Sequence, residues 1–106
     1  MRSNWFHVLA ALASDNLHGS AIADDVLQQT GGALRLWPAT LYRTLDQMVE
    51  EGLIEELKGT QHPSGESQKR RYYTATAQGR RELAEAAERL SSFAATARDR
   101  LEDRGR

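Results

Sequence analysis

The segment from Trp37 to Glu55 constrains the fold most, because it reads as an amphipathic helix that runs directly into a strand. Leu41, Leu45 and Met48 recur at intervals of four and three residues, which places them on one helical face against a core. The opposite face begins with small and polar residues: Pro38, Ala39, Thr40, Tyr42 and Arg43. Hydroxyl, phenol and guanidinium groups in this arrangement suit phosphates and base edges.

The length and composition limit the chain to one domain. Its 106 residues are 40% hydrophobic, which is enough for a modest core that a partner subunit would complete. The absence of cysteine excludes disulfides and thiolate metal sites. No apolar run approaches the roughly 20 residues needed to cross a membrane, and the N-terminal residues lack the pattern of a secretory signal. We therefore expect a cytoplasmic protein.

The net charge of −1 argues against nucleic-acid binding, but the charge is unevenly distributed. Residues 1–60 hold four basic and eight acidic side chains, whereas residues 61–81 hold five basic and one acidic. The five basic residues are Lys69, Arg70, Arg71, Arg80 and Arg81. If the fold brings Arg43 alongside, these residues predict a small basic patch with salt-sensitive binding.

Hydrophobic periodicity predicts four helices and two strands. In chain order these are helices 4–13, 20–29 and 38–51, strands 53–58 and 69–76, and a closing helix over 77–103. Pro38 suits the first turn of the third helix, and Gly52 ends that helix. Thr76 is the expected N-cap of the closing helix, in which Gly79 is a weak point. The two strands form an antiparallel hairpin with a long tip.

The closing helix, about 40 Å long at ~1.5 Å per residue, carries an apolar stripe that so small a domain cannot cover. Its members follow a three-then-four spacing, and the last lies one step off register: Leu83, Ala86, Leu90, Phe93, Ala97 and Leu101. We expect this stripe to mediate dimerisation.

Together these elements give a mainly α chain with a two-stranded β wing. Three helices, a hairpin and a long closing helix are the order expected of a winged helix-turn-helix with a C-terminal dimerisation helix. We accordingly expect a winged-helix DNA-binding domain over residues 1–76 and a dimerisation helix over 77–106, forming one compact unit.

Specific runs carry a resemblance to a known family. Thr40-Leu41-Tyr42, Glu50-Glu51-Gly52-Leu53-Ile54 and the run from Arg71 to Arg80 resemble the signature of the PadR family of bacterial transcriptional regulators, and Leu17-His18-Gly19 fits it as well. The resemblance covers about residues 5–101. It implies a homodimeric DNA-binding repressor in the bacterial cytoplasm, often autoregulatory. In such a repressor the third helix enters the major groove and the wing reaches the flanking backbone.

Two positions depart from the family pattern. Trp37 stands where such proteins commonly have a small polar residue that caps the helix, and Arg43 stands where proline is frequent. We expect Thr40 and Tyr42 to donate hydrogen bonds to phosphates and Arg43 to reach a phosphate or a guanine edge. We expect Lys69, Arg70 and Arg71 to steer the wing toward the flanking DNA backbone. Two-fold symmetry would place the two helices about 34 Å apart on an inverted-repeat operator.

Other interpretations of these residues stay open. Tyr42 could instead pack on a neighbouring element, and the basic run could be a solvated strand end or a charged edge that discourages aggregation. Strand alternation puts Arg70 on the opposite face from Lys69 and Arg71. Alternation also directs one of two adjacent tyrosines inward, and we expect this to be Tyr73, with Tyr72 outward.

The large aromatic residues more often belong to a core than to a ligand pocket. On that basis we expect Trp5, Phe6 and Trp37 to be buried. In relatives that bind flat aromatic compounds the ligand lies near the dimer seam, so the candidate effector-binding residues are Trp5, Phe6 and Phe93.

The sequence gives no sign of an enzyme, a cofactor or a metal site. His7, His18 and His62 are widely separated, and His18 is better placed for a turn hydrogen bond before Gly19. No serine lies in a nucleophile elbow, and no glycine loop suits a phosphate. Two rival functions keep the same fold: a protein–protein interaction module, and a sensor of small aromatic ligands using Trp5 and Trp37.

Overall fold

The computed structural model describes residues 2–58 and 71–105, and it is mostly helical with a small sheet. The elements are α1 (Ser3–Ser14), β1 (Leu17–His18), α2 (Gly19–Gln29), α3 (Pro38–Glu50), β2 (Ile54–Leu57), β3 (Tyr72–Ala75) and α4 (Ala77–Arg104). This arrangement confirms the predicted fold class, and each predicted element is present within a few residues of its expected bounds. Strand β1 is an addition that the sequence pattern did not predict.

The sheet has the order β1-β3-β2, and both pairings are antiparallel. Strand β1 places Leu17 opposite Tyr73 and His18 opposite Tyr72. The prediction that Tyr73 is buried is confirmed, since its side chain is fully enclosed. The prediction that Tyr72 points outward is wrong: the side chain is buried, because β1 brings the His18 ring edge-on to it at 5.4 Å between ring centroids.

The core lies between the first three helices and the sheet. Its fully enclosed side chains come from every layer: Val8, Leu9, Leu12, Ile22, Val26, Leu45, Met48, Ile54 and Tyr73. Trp5 joins this core, as expected. Trp37 does not, since 65% of its surface is exposed, so the expectation of burial is wrong there. It directly precedes Pro38, at the outer end of α3.

A capping hydrogen bond fixes the start of α2, and a glycine with positive φ follows the end of α3. His18 is the N-cap of α2, and its Nδ1 accepts a hydrogen bond from the Ala21 amide at 3.4 Å, which is the turn role expected of this histidine. Gly52 follows α3 with φ of +78°, a conformation that glycine adopts without strain. The chain therefore reverses into β2 where the sequence indicated.

The start of α4 is locked to the turn between α3 and β2. Thr76 caps the helix, accepting a hydrogen bond from the Gly79 amide at 3.0 Å and donating one to the Gly52 carbonyl at 2.6 Å. A Cβ atom at Gly79 would collide with the Leu53 carbonyl oxygen. Glycine at this position is therefore a requirement of close packing rather than a defect in the helix.

Helix α4 then extends away from the core, in a molecule that measures 59 × 27 × 22 Å. Ala86 is buried and Leu83 packs partly against the core, whereas Leu90, Phe93 and Leu101 are exposed. Among residues 2–58 and 71–105 no helix is long and apolar enough to span a membrane.

Candidate nucleic-acid interface

Helix α3 forms a rigid platform for the predicted contact residues. Its inner face buries Leu41, Thr44, Leu45 and Met48. Its outer face exposes, near the N-terminal end, every residue that the sequence assigned to DNA there: Pro38, Ala39, Thr40, Tyr42 and Arg43. Within the described ranges Arg43 makes no ion pair, so its guanidinium is available to an external anion.

Tyr42 packs on a neighbouring helix, which is one of the two interpretations that the sequence left open, and it stays partly exposed. The side chain is 36% exposed, yet its phenol lies so close to the first residue of α2 that a Cβ at Gly19 would come within 2.6 Å of the phenolic oxygen. Because glycine permits this approach, the ring of Tyr42 rests on α2 while one edge faces solvent. The contact fixes the direction of the side chain before any ligand arrives.

Arg71 connects α3 to the base of the wing. Its Nη2 lies 3.3 Å from Asp46 Oδ1 on α3 and 3.0 Å from Glu56 Oε1 on β2. The same guanidinium stands 5.8 Å from the Tyr42 ring and 5.7 Å from the Tyr73 ring. Arg71 therefore braces the wing against α3, in a setting where two carboxylates balance its charge.

The pKa values around Arg71 follow from this geometry. Burial acts to lower the pKa of Arg71, but hydrogen bonds to Glu56 and Asp46, with the neighbouring charges, raise it above its ordinary value. Burial raises the pKa of Tyr73 to about 12, although the nearby Arg71 charge opposes the shift. Arg71 is thus charged and Tyr73 neutral at any physiological pH. The contact of Arg71 with DNA stays a prediction.

The remaining predicted basic residues differ in what the structure says of them. Lys69 and Arg70, like His62 and the hairpin tip, lie outside the described residues. Arg80 Nη2 donates to the Ala13 carbonyl at 3.0 Å, so this side chain closes the end of α1. The N-terminal end of α3 and Arg71 therefore form the described part of the candidate interface.

Arg35 is a further basic residue near this end of α3, and the sequence patterns do not single it out. Its guanidinium carbon lies 5.3 Å from the centroid of the exposed Trp37 ring. The available signal was the spacing of Arg35, Trp37 and Pro38, which places a cation and an aromatic ring immediately before a helix. Trp37 occupies the N-cap position of α3 and makes no capping hydrogen bond through its side chain.

A second surface lies where α1 meets α4. An apolar groove of about 350 Å³ is lined by Phe6, Ala86, Leu90 and Phe93, together with Ser3, His7 and Arg89. Two of the three candidate effector residues, Phe6 and Phe93, therefore share one groove. The third, Trp5, is buried in the core and does not line it. Within residues 2–58 and 71–105 no cluster of His, Asp and Glu could hold a metal ion.

Comparison with known proteins supports the same fold. Residues 8–85 match the transcriptional regulator PadR-like family. A PadR family transcription regulator from Clostridium difficile R20291 is 20% identical, with a TM-score of 0.76 and 94% of this chain and 99% of that chain covered. The PadR-like regulator from Bacillus cereus is 20% identical, with a TM-score of 0.72 and coverage of 92% and 89%.

One similar structure contains DNA. Bacillus subtilis PadR in complex with operator DNA is 23% identical, with a TM-score of 0.67, and the alignment covers 81% of this chain and 47% of that chain. No curated protein matches the chain.

Proposed function

The chain belongs to the PadR-like family of transcriptional regulators, and from that premise we propose that it is a repressor that binds an inverted-repeat operator as a homodimer. The family consists of regulators rather than enzymes, in agreement with the sequence prediction. The observation that carries the proposal is the exposed group of Thr40, Tyr42 and Arg43 on a helix whose other face is buried. Since the proposed target is operator DNA, we place the protein in the bacterial cytoplasm.

The N-terminal end of α3 suits a phosphate backbone. Helix amides and the helix dipole favour anions at this end, and Arg43 adds a positive charge. The acidic residues Asp46 and Glu50 lie farther along the helix, where the first of them is occupied by Arg71. Thr40 and Tyr42 would donate hydrogen bonds to phosphates, and Arg43 would contact a phosphate or a guanine edge.

The wing would supply the flanking contacts. Arg71 holds the base of the wing against α3, and we propose that Lys69 and Arg70, which precede it in the sequence, contact the DNA backbone. In this arrangement the main role of Arg71 is to position its neighbours, with any phosphate contact added to that.

The apolar stripe of α4 supports a homodimer. Leu90, Phe93 and Leu101 expose 50%, 64% and 73% of their surfaces, which is costly in water and is relieved by pairing with a second copy. We accordingly assign residues 1–76 to DNA binding and 77–106 to dimerisation. A symmetric pair would present its two α3 helices about 34 Å apart, one turn of DNA.

The test is a fluorescence anisotropy titration with duplex DNA from upstream of the protein's own gene. A duplex of the same length and composition in scrambled order is the control. We expect tighter binding to the upstream DNA and a steep loss of affinity with salt, because Lys and Arg contacts release counterions. Equal binding to both duplexes, or binding insensitive to salt, would contradict the proposal.

A second candidate function rests on the groove between α1 and α4. Phe6 and Phe93 give it aromatic walls, so a planar aromatic effector could bind there and alter dimer geometry. Calorimetric titration of wild type and Phe93→Ala with planar aromatic compounds tests this function. Binding by wild type that is lost in the variant supports it, and heat that is equal in the two proteins argues against it.

A further inference from the structure

The indole of Trp37 is exposed to solvent, although a large aromatic side chain in a small helical domain is more often buried. Its side chain is 65% exposed, compared with 8% for Trp5 in the core. It also fails as a helix cap, because an indole offers no acceptor to the free amides of the first turn. Since Trp37 lies outside the core cluster and makes no capping hydrogen bond, we look for the role of its large ring in an external contact.

Arg35 defines the chemistry of that contact. Its guanidinium carbon stands 5.3 Å from the Trp37 ring centroid, within the range of a cation–π interaction. The guanidinium lies over the ring, and Arg35 is exposed, so its donors can reach an external anion. A flat aromatic surface beside a positive charge matches a sugar–phosphate chain, in which apolar deoxyribose alternates with anionic phosphate.

The pair is continuous with the proposed DNA surface. A groove of about 230 Å³ runs between α2 and the start of α3, and its lining includes Ser20, Asp24, Arg35, Trp37, Pro38 and Tyr42. Trp37 and Tyr42 thus share one depression. It lies at the N-terminal end of α3, the end that helix-turn-helix proteins direct at DNA.

We propose that Arg35 and Trp37 form an additional DNA contact, in which the indole packs on deoxyribose and the guanidinium binds the adjoining phosphate. The proposal rests on the proposed function and adds a backbone contact outside the residues assigned to α3 and the wing. Asp24 places one carboxylate in the same groove and opposes the phosphate. Asp24→Asn should therefore strengthen binding, whereas Arg35→Ala should weaken it and reduce the salt slope by about 1.

The most direct test uses the two tryptophans as reporters. In a Trp5→Phe variant all tryptophan emission comes from Trp37, and acrylamide should quench it efficiently in the free protein. Adding the upstream duplex should reduce the quenching constant severalfold, because the ring becomes covered. The reciprocal Trp37→Phe variant reports on Trp5, whose weak quenching should not change.

Substitution at the N-cap separates a binding role from a structural one. Trp37→Ser supplies a hydroxyl that can cap α3, so its melting temperature should rise while its affinity for DNA falls about tenfold. Trp37→Phe keeps an apolar ring and should retain most of the affinity. If the Ser variant instead loses stability and affinity together, the residue is structural and the proposal is wrong.

Anisotropy of labelled DNA, recorded in the same samples, keeps this inference distinct from the proposed function. If the duplex binds while acrylamide quenches Trp37 as strongly as in the free protein, the proposed additional contact is wrong. The proposed DNA-binding function is then retained. If no duplex binds at any salt concentration, both fail. If Trp37 becomes shielded at high protein concentration without DNA, the ring lies at a protein–protein interface and the proposed contact is overturned.

Discussion

Two exposed surfaces of this protein differ in chemistry, and the difference indicates what each one binds. The outer face of α3 presents Thr40, Tyr42 and Arg43, which stay hydrated without a partner. The distal part of α4 presents Leu90 and Phe93, whose exposed side chains are apolar and poorly hydrated. A polar, cationic surface is stable in water before an anionic ligand binds to it. An apolar stripe, by contrast, is stable when another apolar surface covers it.

Both surfaces depend on one junction. The cap of α4, formed by Thr76, is hydrogen-bonded to the turn that ends α3. The core that supports α3 is therefore tied to the base of the helix that carries the apolar stripe. Substitutions can be chosen to break this junction, either surface, or neither.

The largest effect is expected from Gly79→Ala, which should damage both surfaces together. The new Cβ would meet the backbone carbonyl of Leu53. Since backbone atoms lie on both sides of this contact, neither can move aside as the end of a flexible side chain could. We expect a loss of about 3 kcal/mol in the free energy of unfolding, measured by urea denaturation. Gly105→Ala, at the opposite end of α4, is the matched control and should change stability by less than about 0.5 kcal/mol. Equal stability of the two variants would refute the packing argument.

Phe93→Glu should disable the apolar surface alone. A carboxylate in the centre of the α4 seam should weaken dimerisation by about 2–3 kcal/mol, because the charge would lose water on association. Sedimentation equilibrium measures the dimer dissociation constant, and thermal unfolding of the dilute monomer should be unchanged. Ser91→Glu adds the same charge to the other side of α4, about half a helical turn away. Similar dissociation constants for the two variants would show that the seam lies elsewhere.

Arg43→Ala should disable the polar surface alone. If Arg43 reads a base, DNA binding should weaken by about 1–3 kcal/mol and specificity should relax at one position of each half-site. Anisotropy titrations with single-base operator variants measure both effects, while sedimentation should show an intact dimer. Unchanged operator affinity would remove Arg43 from the interface.

Tyr73→Phe should leave both surfaces intact and has the smallest expected effect. The buried hydroxyl has no hydrogen-bond partner among the described residues, so its removal should stabilise the fold by less than about 1 kcal/mol at neutral pH. The variant should also resist alkali better. Unfolded tyrosine loses its proton near its ordinary pKa of 10.0, whereas the folded pKa is raised to about 12.

The sign of this pH effect follows from proton linkage. Below pH 10 both states of Tyr73 are protonated and contribute nothing, and between pH 10 and 12 ionisation favours the unfolded chain. Wild type should therefore lose stability relative to Tyr73→Phe as the pH rises through this range, measured by urea denaturation. Parallel pH profiles of the two proteins would contradict the assignment.

The sequence predicted the elements whose periodicity is strong. Helix α3 was recognisable because Leu41, Leu45 and Met48 mark one face, and Pro38 and Gly52 mark its ends. The cap at Thr76 was recognisable from local chemistry in the same way. These features depend on residues that are close together in the sequence, so they can be predicted without knowledge of the tertiary structure.

Features that arise from long-range contacts were missed or misjudged. Strand β1 has two residues, too few for any period, and it exists because β3 pairs with it. Its presence buries Tyr72, which alternation alone had placed outside. Trp37 was expected in the core because of its size, yet the end of α3 points away from it. The clamp of Arg71 between Asp46 and Glu56 joins residues up to 25 positions apart, which no local pattern indicates.

The central claim is that two copies joined through α4 present their α3 surfaces to one duplex. The mass of the complex with the upstream DNA, measured by light scattering during size-exclusion chromatography, tests it most directly. We expect two chains per inverted repeat, with the Phe93→Glu variant failing to form that complex at the same concentration. A complex of one chain per duplex, or a two-chain complex that survives Phe93→Glu, would contradict the account.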